Sequence, residues 1–264
     1  MRILVTGASG FIGRHLLAAL PDAAPVPHQA IPDVPLEGVE LVIHAGRAAG
    51  IGTEAWRLAD DVEHLLLTRL ARHPAHYVML SSRAVYGPAE GRRLRESDLP
   101  APASAYGRNK LRLEQAGQVL LGQRLCILRL SNVFGFEWPG RSTFFGAMLD
   151  RLKREGLIRF DMAGSTRRDF VPVAQAAAMI AALATRRRGG IVHVGAGRSL
   201  HCAALAEAVI AGYGEGRLVV DAVNPYDEFA YNTALAQART GINVSEAEIL
   251  AAARAAGAAL RAAE

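Results

Sequence analysis

Residues 2–20, RILVTGASGFIGRHLLAAL, constrain the fold of this chain more than any other stretch. A short β-rich run at 2–6 passes through Gly7, Gly10 and Gly13 into a helix-spaced run at 11–20, which stops at Pro21. Glycine in these three places suits a tight turn, a close approach of backbone to ligand, and close packing of helix on strand. The helix N-terminus behind them offers free N–H groups and the positive end of a dipole, which suit a pyrophosphate. A glycine-rich turn is common alone, but a strand before it and a helix behind it make a dinucleotide site the expected reading. Ser9, Phe11 and Ile12 join the glycines as candidate cofactor contacts.

The theme repeats along the chain. Residues 40–44 (ELVIH), 76–81 (HYVMLS) and 124–130 (RLCILRL) read as strands, with a weak one near 24–27. Helical spacing occupies 53–72 and 104–121. Such alternation predicts an α/β fold with a Rossmann-type, doubly wound parallel sheet. Near-continuous apolar strands agree, because they are covered on both faces. After Asn132 the rhythm changes. A loop at 135–146 leads to a helix ending near Arg154, and 156–170 reads as loop or short strand. Helices follow at 172–184, 200–213 and 245–263, with a strand at 191–194. The expected organisation is a dinucleotide-binding domain over 1–140 plus about 168–197. A small substrate-binding lobe, 141–167 and 198–264, is interleaved with it.

Composition removes several classes. Of 264 residues 51% are hydrophobic and the net charge is only +5, which excludes disorder as the main state. With no uncharged apolar run of about eighteen residues and a strand at the outset, neither a membrane span nor a signal peptide is expected. Cys126 and Cys202 lie in hydrophobic runs, and the histidines lack metal spacing. No metal, no disulfide and a reduced, cytoplasmic setting are therefore expected. Arg92, Arg93 and Arg95, and Arg186 to Arg188, form basic clusters without aromatics, which reads as solvated loop rather than nucleic-acid surface. His44 reads as a packed strand residue, Asp60 and Asp61 as a solvated helix face. Tyr226, Asp227, Glu228 and Tyr231 read as a polar loop, with a weaker case for a sugar pocket.

Two further features bear on chemistry. NAD sites usually close the second strand with a carboxylate on the ribose. Here the chain reads Pro25-Val26-Pro27-His28-Gln29, with no acid until Asp33, while Arg14 and His28 can face a 2′-phosphate. NADP is preferred over NAD on that ground. Tyr106 and Lys110 stand at i and i+4, on one face of a helix. A free tyrosine titrates at about 10, and a neighbouring ammonium favours its phenolate, fitting it to exchange protons with a substrate oxygen. Only two of the thirty Lys and Arg residues are Lys, and one falls here. Ser81 and Ser82 end a strand upstream, where sites in parallel sheets form.

With these pieces together, the chain resembles the extended short-chain dehydrogenase/reductase family, in its sugar-nucleotide epimerase/dehydratase branch. The matching segments are TGASGFIG (6–13), VIHAG (42–46), LSSRAVYG (80–87), ESDLPAPASAYGRNK (96–110), LRLSNVFG (128–135) and RRDFVPV (167–173). The resemblance implies Ser82 as the hydroxyl on the substrate oxygen, Tyr106 as acid/base and Lys110 as its activator. It places Ala45 beside the cofactor, Asn132 beside the substrate and the nicotinamide, and Arg168 on the substrate diphosphate; a surface ion pair with Asp169 is the plainer reading of Arg168. Departures matter too. Arg83 and Ala84 stand where family dehydratases carry acids, and the short segment 29–39 leaves the third strand and its helix truncated. Gln175 stands where an aspartate usually follows RDFV.

The expectation is an NADPH-dependent reductase of a 4-keto-sugar nucleotide, with a C4 epimerase as the close alternative. A non-catalytic NADP sensor or RNA binder on the same fold is the alternative of another class. By resemblance the partner is a nucleotide-diphosphate sugar and the assembly a homodimer through helices 53–72 and 104–121, with no nucleic acid expected.

Overall fold

The computed structural model describes residues 1–139 and 143–263. The chain runs β1 (Ile3–Thr6), α1 (Phe11–Ala19), β2 (Ala24–Val26), β3 (Leu41–His44), α2 (Val62–Leu70), β4 (His76–Ser82), β5 (Arg93–Leu94), α3 (Ala105–Leu121), β6 (Leu125–Leu130) and β7 (Asn132–Phe134). It continues through α4 (Phe144–Glu155), β8 (Leu157–Phe160), β9 (Arg167–Pro172), α5 (Val173–Thr185), β10 (Gly190–Val194) and β11 (Ser199–His201). Then come α6 (Cys202–Tyr213), β12 (Arg217–Val220), β13 (Ala230–Tyr231), α7 (Ala234–Thr240) and α8 (Glu246–Ala262).

Six strands form a parallel sheet in the order β10-β6-β4-β3-β1-β2. Thr6 pairs with His44, His44 with Met79, and Ser82 with Leu130, so the loops after β1, β3, β4 and β6 leave from one edge. The winding reverses between β1 and β3, and that is where open α/β sheets bind ligands. The sheet ends at β2. No strand lies between His28 and Glu40; Ile31, Val34, Leu36 and Val39 instead pack as loop side chains with Leu66 and Leu67. Pro25, which lacks a backbone N–H, sits in that edge strand.

Two expectations need correction. The helix expected at 53–72 covers only α2, preceded by a 3₁₀ turn at Leu58–Asp60. Asp61 accepts the Glu63 N–H at 2.7 Å and the Trp56 indole N–H at 2.8 Å. It is a buried N-cap, not a solvated helix face, because its short carboxylate starts the helix here. Residues 156–170, read as loop or short strand, hold β8 and most of β9. β9 joins β7 and antiparallel β11 in a second sheet, while β8 pairs with β12 and β5 with β13.

One core runs from Ile3 and Val5 through Leu128 and Phe170 to Leu205 and Leu260. Glycines set its far side. A methyl at Gly212 of α6 would stand 1.9 Å from the Arg254 carbonyl oxygen, and one at Gly257 of α8 2.0 Å from that of Val209. The two helix backbones therefore touch. Gly257→Ala would gain about 1 kcal/mol of helix propensity, but separating the helices costs about 1–3 kcal/mol and more in a tight contact. Denaturant unfolding should show a net loss of stability of about 1–2 kcal/mol; a more stable variant would contradict this packing.

Candidate active site

The glycine loop is built for close approach. Gly7 has φ +68°, and a Cβ there would lie 2.4 Å from the Gly46 nitrogen; one at Gly13 would lie 2.1 Å from the Gly7 oxygen. Gly10 caps α1 without a side-chain hydrogen bond, and no acid occupies its first turn. Gly7, Gly10 and Gly46 bound a groove of about 510 Å³, which also takes in Ser9, Phe11, Ile12, Ala45, Tyr106 and Lys110. A dinucleotide fits this donor set: backbone amides at a helix N-terminus and no opposing carboxylate in the lining. The lining also holds His28, just after β2, and, unforeseen in the sequence, exposed Arg47, just after β3. Arg14 points elsewhere. It donates to the Ser9 carbonyl at 3.3 Å and to Glu137 at 3.1 Å, and so stands outside the groove it was expected to line. Gly13 also lies outside the lining, as packing rather than contact.

A second cavity, of about 250 Å³, opens beside the groove. Ser82, Tyr106 and Asn132 line it together with Phe11, Ile12 and Phe144. Ser104 starts α3 by accepting the Gly107 N–H at 3.1 Å, which places Tyr106 in the first turn. A Cβ on Gly107 would lie 2.2 Å from the Ala84 oxygen, so this turn rests directly on the chain leaving Ser82. The Asn132 side-chain nitrogen is buried without a hydrogen-bond partner among the described residues, as expected of a group meant for a ligand.

Lys110 is buried one helical turn behind Tyr106. It donates to the Leu80 carbonyl at 3.1 Å and to Glu63 at 3.3 Å. Glu63 also accepts from the Tyr77 hydroxyl at 2.9 Å and lies 3.9 Å from His44 Nε2. The other ring nitrogen of His44 meets Thr6 Oγ1 at 2.6 Å. Burial would by itself lower the Lys110 amine, but Glu63 first, then Tyr106 and Asp61, hold it above its usual value. Burial keeps His44 below the ordinary imidazole value, against the pull of Glu63. The sequence reading missed Glu63. Its signal was periodic: Glu63, Leu66, Leu67 and Leu70 share the buried face of α2, so a charge stood in an apolar stripe.

A second buried network stands behind the cavity. Ser81 donates to Glu114 at 2.5 Å, Arg129 reaches the same carboxylate at 2.6 and 3.1 Å, and Arg129 donates to the Tyr86 hydroxyl at 2.7 Å. That hydroxyl meets His193 Nε2 at 2.6 Å, and the His193 ring stacks on Tyr231 with centroids 3.8 Å apart. Tyr231 is thus core and not pocket wall, because β13 carries it inward. Asp227 pairs with Arg83, whose guanidinium also covers Phe229 at 4.7 Å.

Arg168 is 9% exposed and makes no surface pair with Asp169. It lies over Phe144 at 5.0 Å and donates to the Tyr226 carbonyl, while its Nε is buried without a partner among the described residues. Alternation along β9 sends Asp169 the other way, to accept N–H groups of Ala196, Gly197 and Tyr231 at 2.9–3.1 Å. Cys126 and Cys202 are both free and buried. Among the described residues no group of His, Cys, Asp or Glu is placed to hold a metal, and no helix is long and apolar enough to cross a membrane.

Burial pushes His193 down to about 3, so the folded chain holds it neutral. Its stabilising contribution is full above the unfolded histidine value of about 6.5 and is lost as pH falls towards 3. Burial pushes Asp169 up to about 6, with the opposite sign: that contribution is present below 3.8 and lost as pH rises through 6. Comparing His193→Gln with the parent isolates the histidine. Between pH 7.5 and 5 the parent should lose roughly 5 °C more in Tm than the variant; equal losses would refute a buried neutral His193.

A UDP-glucose 4-epimerase of Azospirillum brasilense is 29% identical over 86% of this chain and 77% of its own length. A UDP-2-acetamido-2,6-beta-L-arabino-hexul-4-ose reductase of Pseudomonas aeruginosa is 30% identical over 52% of this chain, which spans only 37% of that protein. The structure of RMD from Pseudomonas aeruginosa complexed with NADPH superposes with a TM-score of 0.80, covering 100% of both chains at 21% identity, a likeness of fold. Residues 3–195 match the NAD dependent epimerase/dehydratase family. With the glycine cradle, the Tyr106–Lys110 pair and that match in agreement, the chain belongs to this family of NAD(P)-dependent, extended short-chain dehydrogenases/reductases.

Proposed function

We propose that this enzyme reduces the carbonyl of a 4-keto-sugar nucleotide with NADPH. The observation that carries the reading is that Ser82, Tyr106 and Asn132 line one cavity, which shares Tyr106 with the groove holding Lys110. The cofactor, when bound, supplies the hydride for the carbonyl carbon. Ser82 holds the carbonyl oxygen, Tyr106 gives that oxygen its proton, and Lys110 holds the ribose and orients the tyrosine. Asn132 offers its free amide to the substrate. Elimination of water would call for acids after Ser82, but Arg83 is tied to Asp227 and Ala84 carries no proton.

The substrate runs away from the cofactor over Phe144, which lines both the catalytic cavity and a second one bounded by Arg151, Arg159 and Phe160. Arg168, with an unpartnered N–H over that ring, is set to take the diphosphate. On this reading 141–167 and 198–264 form the substrate lobe, the setting is cytoplasmic, and the homodimer forms through α2 and α3, which expose Leu65 and Val119. The epimerase relative, matched over 86% of this chain, supports C4 epimerisation as the second reading. An epimerase keeps its cofactor through purification, whereas a reductase releases it at each turnover.

Against a panel of nucleotide 4-ketosugars, Tyr106→Phe should lower kcat by about 100-fold or more, with cofactor Kd unchanged. Retained turnover would remove Tyr106 from the chemistry. His28 and Arg47 should favour the 2′-phosphate, so titration should show NADPH binding more tightly than NADH. Arg47→Glu should weaken NADPH about tenfold or more and NADH little. Equal weakening of both would place Arg47 away from that phosphate.

A further inference from the structure

Glu63 is the carboxylate that pairs with Lys110 of this site. The two side chains are 2% and 3% exposed and 3.3 Å apart, in a layer beneath the cofactor groove. An ammonium has three N–H donors. One goes to Leu80, one to Glu63, and the third is left for the groove that Lys110 lines. Glu63 is itself held: Tyr77 donates to one oxygen, and the N-terminal turn of α2 is pinned by the Asp61 cap. The charged and titratable groups around Lys110 are Glu63 from α2, Asp61 from its N-cap, His44 from β3, Tyr77 from β4 and Tyr106 from α3. Glu114, the next carboxylate along α3, is taken up by Arg129.

We propose that Glu63 is a positioning residue that fixes the Lys110 ammonium and offsets its charge, so that Tyr106 meets the substrate with its proton in place. A lone buried ammonium draws a neighbouring phenol towards phenolate, which suits a base that oxidises an alcohol. An ammonium already paired with a buried carboxylate exerts a weaker field on the phenol. Carbonyl reduction requires the hydroxyl as an acid. The inference rests on the reductase reading for its direction, but its test does not use the substrate.

Near-ultraviolet absorbance of phenolate reports tyrosine ionisation, and subtraction of the Tyr106→Phe variant isolates Tyr106. In Glu63→Gln the Tyr106 phenolate should form about one pH unit lower than in the parent chain. Tyr77→Phe removes another partner of the same carboxylate while leaving its charge, so its titration should stay with the parent. A Glu63→Gln titration that matches the parent, or an equal shift in Tyr77→Phe, overturns the proposal. Should Glu63→Gln not fold, the parent chain offers a second route, since it holds only Lys110 and Lys153. With ¹⁵N-lysine, and Lys153→Arg for assignment, the Lys110 ammonium protons should exchange at least tenfold more slowly than those of Lys153. Equal exchange means that Glu63 does not hold Lys110, and the proposal falls. Failure to reduce any ketosugar would defeat the reductase reading and leave both measurements standing.

Discussion

The buried pair of Arg129 and Glu114 ties together the elements around the candidate active site. Both side chains are 2% exposed. The arginine comes from β6, next to the edge strand β10, and the carboxylate from α3, which carries Tyr106 and Lys110. Ser81 donates to the same carboxylate, and Tyr86 takes the remaining guanidinium contact. The residue before Ser82, the helix bearing Tyr106 and the strand leading to Asn132 are thereby referred to one point. A buried pair gives little net stability over well-packed apolar groups, yet loss of one partner strands the other at a cost of about 3–5 kcal/mol. Its value here is register: sliding α3 along β6 would strand two charges at once.

That helix divides along its length. Near the site its buried positions are Asn109, Lys110 and Glu114, each hydrogen-bonded to another element. Leu113 stands beside Glu114, and beyond them the buried positions are Gly117 and Leu121, where a Cβ on Gly117 would lie 2.9 Å from Leu125. Polar contacts have direction and apolar ones do not. The reactive end is accordingly oriented by hydrogen bonds, and the distant end is filled by packing. The Glu63–Lys110 pair and the Glu114–Arg129 pair hold two successive turns of α3.

What was legible in the sequence was local. The glycine turn, the apolar strands and the Tyr106–Lys110 spacing are each written within a few neighbouring residues, and all lie where they were expected. Partnerships across long separations were not legible. Lys110 and Glu63 are 47 residues apart, and Arg83 and Asp227 are 144 apart. No short-range pattern encodes such meetings. Asp61 was misread because a carboxylate that caps a helix and one that decorates its face look alike in one dimension. Arg168 and Asp169 were paired by adjacency, although successive residues of a strand face opposite ways. Arg47 was passed over because nothing local marks a loop arginine that a neighbouring strand end turns towards a groove.

The sheet that stops at β2 has a kinetic consequence. A dinucleotide-binding half of full length would wall the adenosine between a third strand and its helix, whereas here the loop at 28–40 stands in their place. An adenosine resting on a loop beside exposed His28 and Arg47 would lose less surface to the protein and leave with fewer contacts to break. Lower burial shortens residence before it slows association, because affinity differences fall mostly on the off-rate. A cofactor held chiefly by its pyrophosphate and nicotinamide ends behaves as a substrate that comes and goes. The truncated edge thus accords with the proposed reductase, which must exchange its cofactor at every turnover.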